Sequence, residues 1–99
     1  MKQYTTPDQT AKLMELGFEK PRALVDKYYD FDAEAYAEVK AYSIGELIEL
    51  VNQIGDYELR IFRDDTVWSI TTDFYGEANK ELIDAIYCML IRLKEEGVI

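Results

Sequence analysis

The side chains of this sequence that could carry chemistry are carboxylates, a single thiol and a large set of tyrosines; histidine is absent. Carboxylates cluster at Asp64 with Asp65, at Asp73 with Glu77, and at Asp30 with Asp32 and Glu34. Hydrolytic acid–base work needs two carboxyl groups held about 5–10 Å apart in a cleft, with separated pKa values. These groups fall instead in stretches whose composition reads as turn or solvated loop. Cys88, flanked by Tyr87, Met89 and Leu90, reads as a buried small hydrophobe, because a nucleophilic thiol needs a base and a positive field. Asp30-Phe31-Asp32-Ala33-Glu34 imitates the first ligands of a calcium loop. That loop needs Gly where Ala35 stands and a bidentate Glu where Ala41 stands. Phosphate-binding glycine motifs and Cys/His zinc spacings are missing too. The reading is of no catalytic residue, no metal and no cofactor.

The tyrosines are the richer signal. There are eight among 99 residues, and packing of amphipathic rings in a small core explains most of them. Several fall in loops or at element edges: Tyr28, Tyr29, Tyr36 and Tyr75. Aromatic residues are enriched where proteins bind proteins. Tyr28, Tyr29, Phe31, Phe74 and Tyr75, rimmed by acids, form the candidate protein-interaction surface; such a cluster, if exposed, exceeds what monomers normally leave in water.

Capping signals set the elements that must position these groups. Thr6-Pro7-Asp8-Gln9 is a capping box with Pro at the first helical position, and Gly17 suits a left-handed stop with Phe18 folding back. This predicts a helix over about 7–16. Pro21 opens a second, shorter helix over about 21–28. Tyr29 to Ala33 reads as a loop. Residues 34–42 carry helix-favouring Ala and Glu, but Ala35, Ala37, Val39 and Ala41 alternate with Tyr36, Glu38 and Lys40, the period of a strand. Ser43-Ile44-Gly45-Glu46 is a second capping box, with Tyr42 and Leu47 spaced as a hydrophobic staple, and opens a helix over 44–54. A hairpin follows, 57–62 with 67–72. A two-residue turn at Asp64-Asp65 would place Ile61 opposite Trp68 and Leu59 opposite Ile70 on one apolar face. Residues 73–77 read as a loop, and Asn79 caps a last helix to about Glu96. Its apolar residues cover more than one stripe, so it must be buried on two sides.

Length bounds the chain to one domain, 1–99. Net charge is −9, spread over both halves, so the field repels phosphate and direct nucleic-acid binding is disfavoured. The same charge argues against a helix-turn-helix drawn from the first two helices, whose Lys20, Arg22 and Lys27 are offset by Glu19, Asp26 and Asp30. A lone cysteine fits a reducing compartment. The first residues lack the apolar stretch of a signal peptide, and no run reaches the ~20 apolar residues of a membrane span. The expected location is cytoplasmic, without membrane contact.

Three stretches carry a family likeness: Thr6 to Gly17, Ala41 to Leu50, and Leu82 to Ile91 followed by Glu95-Glu96-Gly97-Val98-Ile99. In these the sequence resembles small uncharacterised proteins of Bacteroides-type gut bacteria and their prophages, over roughly half the chain and in the same order. Members often have Trp-Leu where this chain has Arg92-Leu93, and many have a longer insertion after the first helix. The resemblance implies a mobile-element context and no mechanism. A slighter likeness links Leu13-Met14-Glu15-Leu16-Gly17-Phe18 and a Pro-opened helix to ubiquitin-associated domains, with Leu16 in place of their Met.

The fold expected is α+β, three to four helices packed on a small antiparallel sheet built around the hairpin 57–62/67–72, with 35–41 as a candidate third strand. The function expected is that of a non-catalytic, phage- or mobile-element-associated accessory protein with an unidentified protein partner. The alternatives are an acidic nucleic-acid mimic that inhibits a DNA-binding enzyme, and a small enzyme of unknown class. Open sheet edges also allow a homodimer.

Overall fold

The computed structural model describes residues 1–53, 59–72 and 75–97. Both capping boxes form. Thr6 Oγ1 accepts the Gln9 N–H at 3.2 Å and Gln9 Oε1 accepts the Thr6 N–H at 2.9 Å, opening α1, Pro7–Glu15. Its end is a Schellman stop. Gly17 sits at φ +92, its N–H donates to Met14, and the Phe18 N–H donates to the Leu13 carbonyl at 3.2 Å. Ser43 Oγ accepts the Glu46 N–H at 3.1 Å and opens α2, Ile44–Asn52. The helix ends at Asn52 with Gln53 as its C-cap, short of the expected residue 54.

The chain between these helices departs from expectation. Residues 21–28 form no helix; Ala23–Asp30 is strand β1, antiparallel to β2, Ala35–Ala41. The local helix signal of Pro21 and Ala23 yields to pairing with β2, which Val25, Tyr28 and Tyr29 favour as β-formers. With that helix gone, both the helix-turn-helix and the ubiquitin-associated readings fall. The alternation along 35–41 is a strand, but it belongs to a two-stranded sheet of its own and not to the sheet expected.

The second sheet has three strands in the order β3-β4-β5, with β3 Arg60–Asp64, β4 Val67–Thr71 and β5 Gly76–Asn79. The hairpin's turn moves to Asp65-Thr66, with Asp65 at φ 51, a left-handed conformation that Asp tolerates. Ile61 therefore pairs with Ile70, and Arg63 with Trp68. Residues two apart share a face, so Ile61, Trp68 and Ile70 still point to one side. Tyr57 and Glu58 lie outside the described residues. The expected loop over 73–77 gives way at Gly76 to β5, the sheet's third strand.

The last helix, α3, runs Leu82–Glu95. Asn79 ends β5 rather than capping α3; its Oδ1 accepts the Glu81 N–H at 3.2 Å, and Glu81 is the N-cap. Ile83, Ala85, Ile86, Met89 and Leu90 are fully buried, because α3 packs on β4 and β5 on one side and on α2 on the other. Leu13, Tyr42, Leu47 and Ile70 complete this core. Among the described residues, three helices and two antiparallel sheets thus make an α+β fold. Among the described residues, no helix is long and apolar enough to cross a membrane.

The two sheets do not share the core equally. The radius of gyration is 15.0 Å, against about 13 Å for a compact chain of this length, and the longest dimension is 50 Å. The excess comes from β1 and β2, which pack on each other and project from the body as an arm.

Candidate functional site

The arm is anchored at its root and bare along its length. At the root, Ala41 and Tyr42 are buried and Pro21 is covered. Thr5 and Tyr42 exchange two hydrogen bonds: the Thr5 N–H donates to the Tyr42 carbonyl, and the Tyr42 N–H to Thr5 Oγ1, each at 3.0 Å. The Tyr42 hydroxyl donates to the Glu19 carbonyl, and burial, then the charges of Glu46 and Glu19, push its pKa up. Arg22 clamps the root to α2. Its N–H donates to Glu46 Oε2 at 2.9 Å and its Nη2 to Glu49 Oε2 at 2.7 Å. Glu46 thus serves both the α2 cap and the arm.

Beyond the root, the pairing separates two faces. Tyr29 pairs with Tyr36 and Lys27 with Glu38, while Tyr28 pairs with Ala37 and Asp26 with Val39. Strand alternation puts Lys27, Tyr29, Tyr36, Glu38 and Lys40 on one face, and Tyr28, Ala35, Ala37 and Val39 on the other. The Tyr29 ring meets Tyr36 edge-on at 5.3 Å and Phe31 at 4.9 Å, the T-shaped geometry aromatic rings prefer. Lys27 Nζ lies 4.8 Å from the Tyr36 ring centre, so this face already hosts a cation. Phe31 is 82% exposed and Tyr36 66% exposed.

The tip is a four-residue turn held by Asp30, whose Oδ1 accepts the N–H groups of Asp32 at 3.0 Å and Ala33 at 3.2 Å. The stretch that imitates a calcium loop is this turn, its first carboxylate committed to backbone. Glu34 closes the turn at φ 52. Residues 23–41 carry five acids against two lysines: Asp32 and Glu34 lie in the tip turn, Glu38 shares the aromatic face with both lysines, and Asp26 and Asp30 fall on the other face.

Of the five residues expected on an interaction surface, Tyr28, Tyr29 and Phe31 lie on the arm. Tyr28 is on the Ala-lined face, and Tyr29 and Phe31 are in the aromatic cluster. Tyr75 sits on the body, half-buried against the core with the Arg92 guanidinium 5.8 Å from its ring. Phe74 lies outside the described residues. Tyr36 is the member that the sequence reading left out of the site. The signal was available: once 35–41 is a strand, an antiparallel partner across the Asp30-to-Glu34 turn brings Tyr36 opposite Tyr29.

Outside the arm, Cys88 and Asp84 are groups whose surroundings shift them. Burial, then the charges of Glu77 and Asp84, push the Cys88 thiol up, away from the thiolate. It lies half-buried on an open groove of α3 with Tyr87, Ile91 and Arg92, and Arg92 is paired with Glu77 at 3.1 Å. Among the described residues, Asp84 is the one carboxylate held low. Burial opposes its charge, but hydrogen bonds from Gln9 and Lys2 and the Lys2 charge outweigh that. Lys2 Nζ is 2.6 Å away and Gln9 Nε2 is 2.8 Å away, so Asp84 ties the N-terminal segment and α1 to α3. No family model, curated protein or solved structure matches the chain.

Proposed function

We propose that the protein is a non-catalytic interaction module that holds a basic protein partner on the aromatic face of its arm. The observation that carries this reading is the exposed cluster of Tyr29, Phe31 and Tyr36 at the end of an arm anchored to a packed body. Aromatic rings lose little side-chain entropy on binding and give large contact area. The acids at the tip and the cation already seated on Tyr36 favour Lys or Arg side chains on the partner. The raised thiol of Cys88 works against an enzymatic reading of that residue. Nucleic-acid mimicry has weaker support, because the carboxylates are dispersed over the arm tip, α2 and the end of α3. The mobile-element association rests on the family resemblance alone.

The test is capture of partners by tagged wild type and by a Tyr29→Ala/Phe31→Ala variant, in nuclease-treated lysate of the native host at low and moderate salt. A stoichiometric basic protein held by the wild type and lost by the variant, with thermal stability unchanged, is the expected result. Equal capture by the variant would remove the aromatic face from the reading. A DNA-binding enzyme released as salt rises, and indifferent to the variant, would move the reading to mimicry.

A further inference from the structure

We propose that the arm grips an extended partner segment at two ends, a basic side chain at the tip and a carboxylate between Lys20 and Lys40 at the root. This rests on the interaction reading of the arm and gives its partner a second charge, of opposite sign. Where the arm leaves the body, its aromatic face runs into an open groove of about 280 Å³, lined by Met14, Lys20, Pro21, Glu38 and Lys40. Glu38 and Lys40 belong to that face by strand alternation, so groove and aromatic cluster form one continuous surface. Pro21 is covered and Met14 is 42% exposed, which gives the groove an apolar wall. Among the described residues, Lys20 makes no ion pair, and Lys40 pairs with Glu38 at 3.8 Å. One carboxylate in the lining therefore faces two ammonium groups, and the groove keeps a positive charge that an incoming carboxylate can neutralise.

Charge selects the occupant. At the tip, Asp32 and Glu34 flank Phe31 in the turn, and residues 30–34 contain no base. Toward the root, the same face and its groove carry Lys27, Lys40 and Lys20 against Glu38. The surface is thus negative at one end and positive at the other, with the rings of Tyr29 and Tyr36 between them. In a chain of net charge −9, the root is where a carboxylate meets a local excess of cations. A segment with one sign of charge is repelled at one end, whereas one with a base and an acid is attracted at both. Strand geometry sets the spacing. Tyr36 and Lys40 are four residues apart on β2, about 13 Å at ~3.3 Å per residue. An extended segment spans this with its base and its acid four positions apart.

NMR titration of the full chain at low salt tests this with two end-capped peptides, Arg-Thr-Val-Thr-Asp and the same peptide ending in Asn. The Asp peptide should bind about fivefold tighter, because its carboxylate meets two exposed ammonium groups. It should shift the amides of both Lys40 and Phe31 with one binding constant. Lys20→Ala combined with Lys40→Ala should bring the two peptides to equal affinity. Both lysines are exposed, and Trp68 fluorescence melts show that the body stays folded. Tyr29→Ala combined with Phe31→Ala should weaken both peptides alike, so tip and root are read separately. Equal binding of the two peptides to the wild type overturns the root site and leaves the tip reading standing. A preference for Asp that survives the loss of both lysines overturns it as well. If neither peptide binds at millimolar concentration, the root site and the tip reading fall together.

Discussion

The body and the arm are built from the same chain by different physics. In the body, α3 is covered on two sides, and its inward residues are inaccessible to water. In the arm, two strands are joined by backbone pairing and by rings that meet edge-on, and most side chains stay exposed. Burial holds the body together, so a change there should unfold the molecule. The arm contributes little burial, so a change there should alter recognition and leave the body intact. The proposed interaction face lies on the part that stability needs least.

The largest effect that would sharpen this contrast is Ile86→Ala, which removes a fully buried side chain and should cost about 2–5 kcal/mol in urea denaturation. Tyr36→Ala should stay within about 0.5 kcal/mol in the same experiment. Similar losses for both would mean that the arm folds as part of the core. Next is Ser43→Ala, which deletes the α2 cap and should cost about 1 kcal/mol. Because Glu46 of that box also holds Arg22, hydrogen exchange at the arm root should quicken as well.

Asp84→Asn comes third, at about 1 kcal/mol near neutral pH for a partly exposed pair. Asp84 is held below its ordinary pKa in the folded state. Its contribution is therefore present above the ordinary carboxylate range and is lost as pH falls through the lowered folded value. Stability curves of wild type and variant should differ at pH 7 and converge in acid; a constant gap at all pH values would assign the effect to shape and not to charge. The smallest effect belongs to the tip. Glu34→Gly relieves a left-handed residue at φ 52 and should slow arm amide exchange about twofold, from ~0.5 kcal/mol of net gain. Unchanged exchange would mean that the turn does not limit the arm's opening.

How much was legible follows the range of the interactions. The caps at Thr6 and Ser43 act within four residues, and both helices begin where the sequence places them. The apolar face of Ile61, Trp68 and Ile70 was also legible, because alternation survives the change of register; the turn at Asp65-Thr66 was not, since Asp-Asp and Asp-Thr are similar turn formers. Residues 23–30 misled. Pro21 with Ala23 and Leu24 is a sound local helix start, and the arm that makes the candidate site depends on overriding it.

By itself the sequence determined the capped helices, the two-sided burial of α3, the acidic charge and the α+β class. Each is set by neighbours along the chain or by composition. Only the tertiary structure decided that 23–30 pairs with 35–41, that this pair stands apart from the three-stranded sheet, and that Tyr29, Phe31 and Tyr36 meet at its tip. Strand pairing is a contact between segments, and its energy is realised only when both are present in register; no local pattern in either strand contains it.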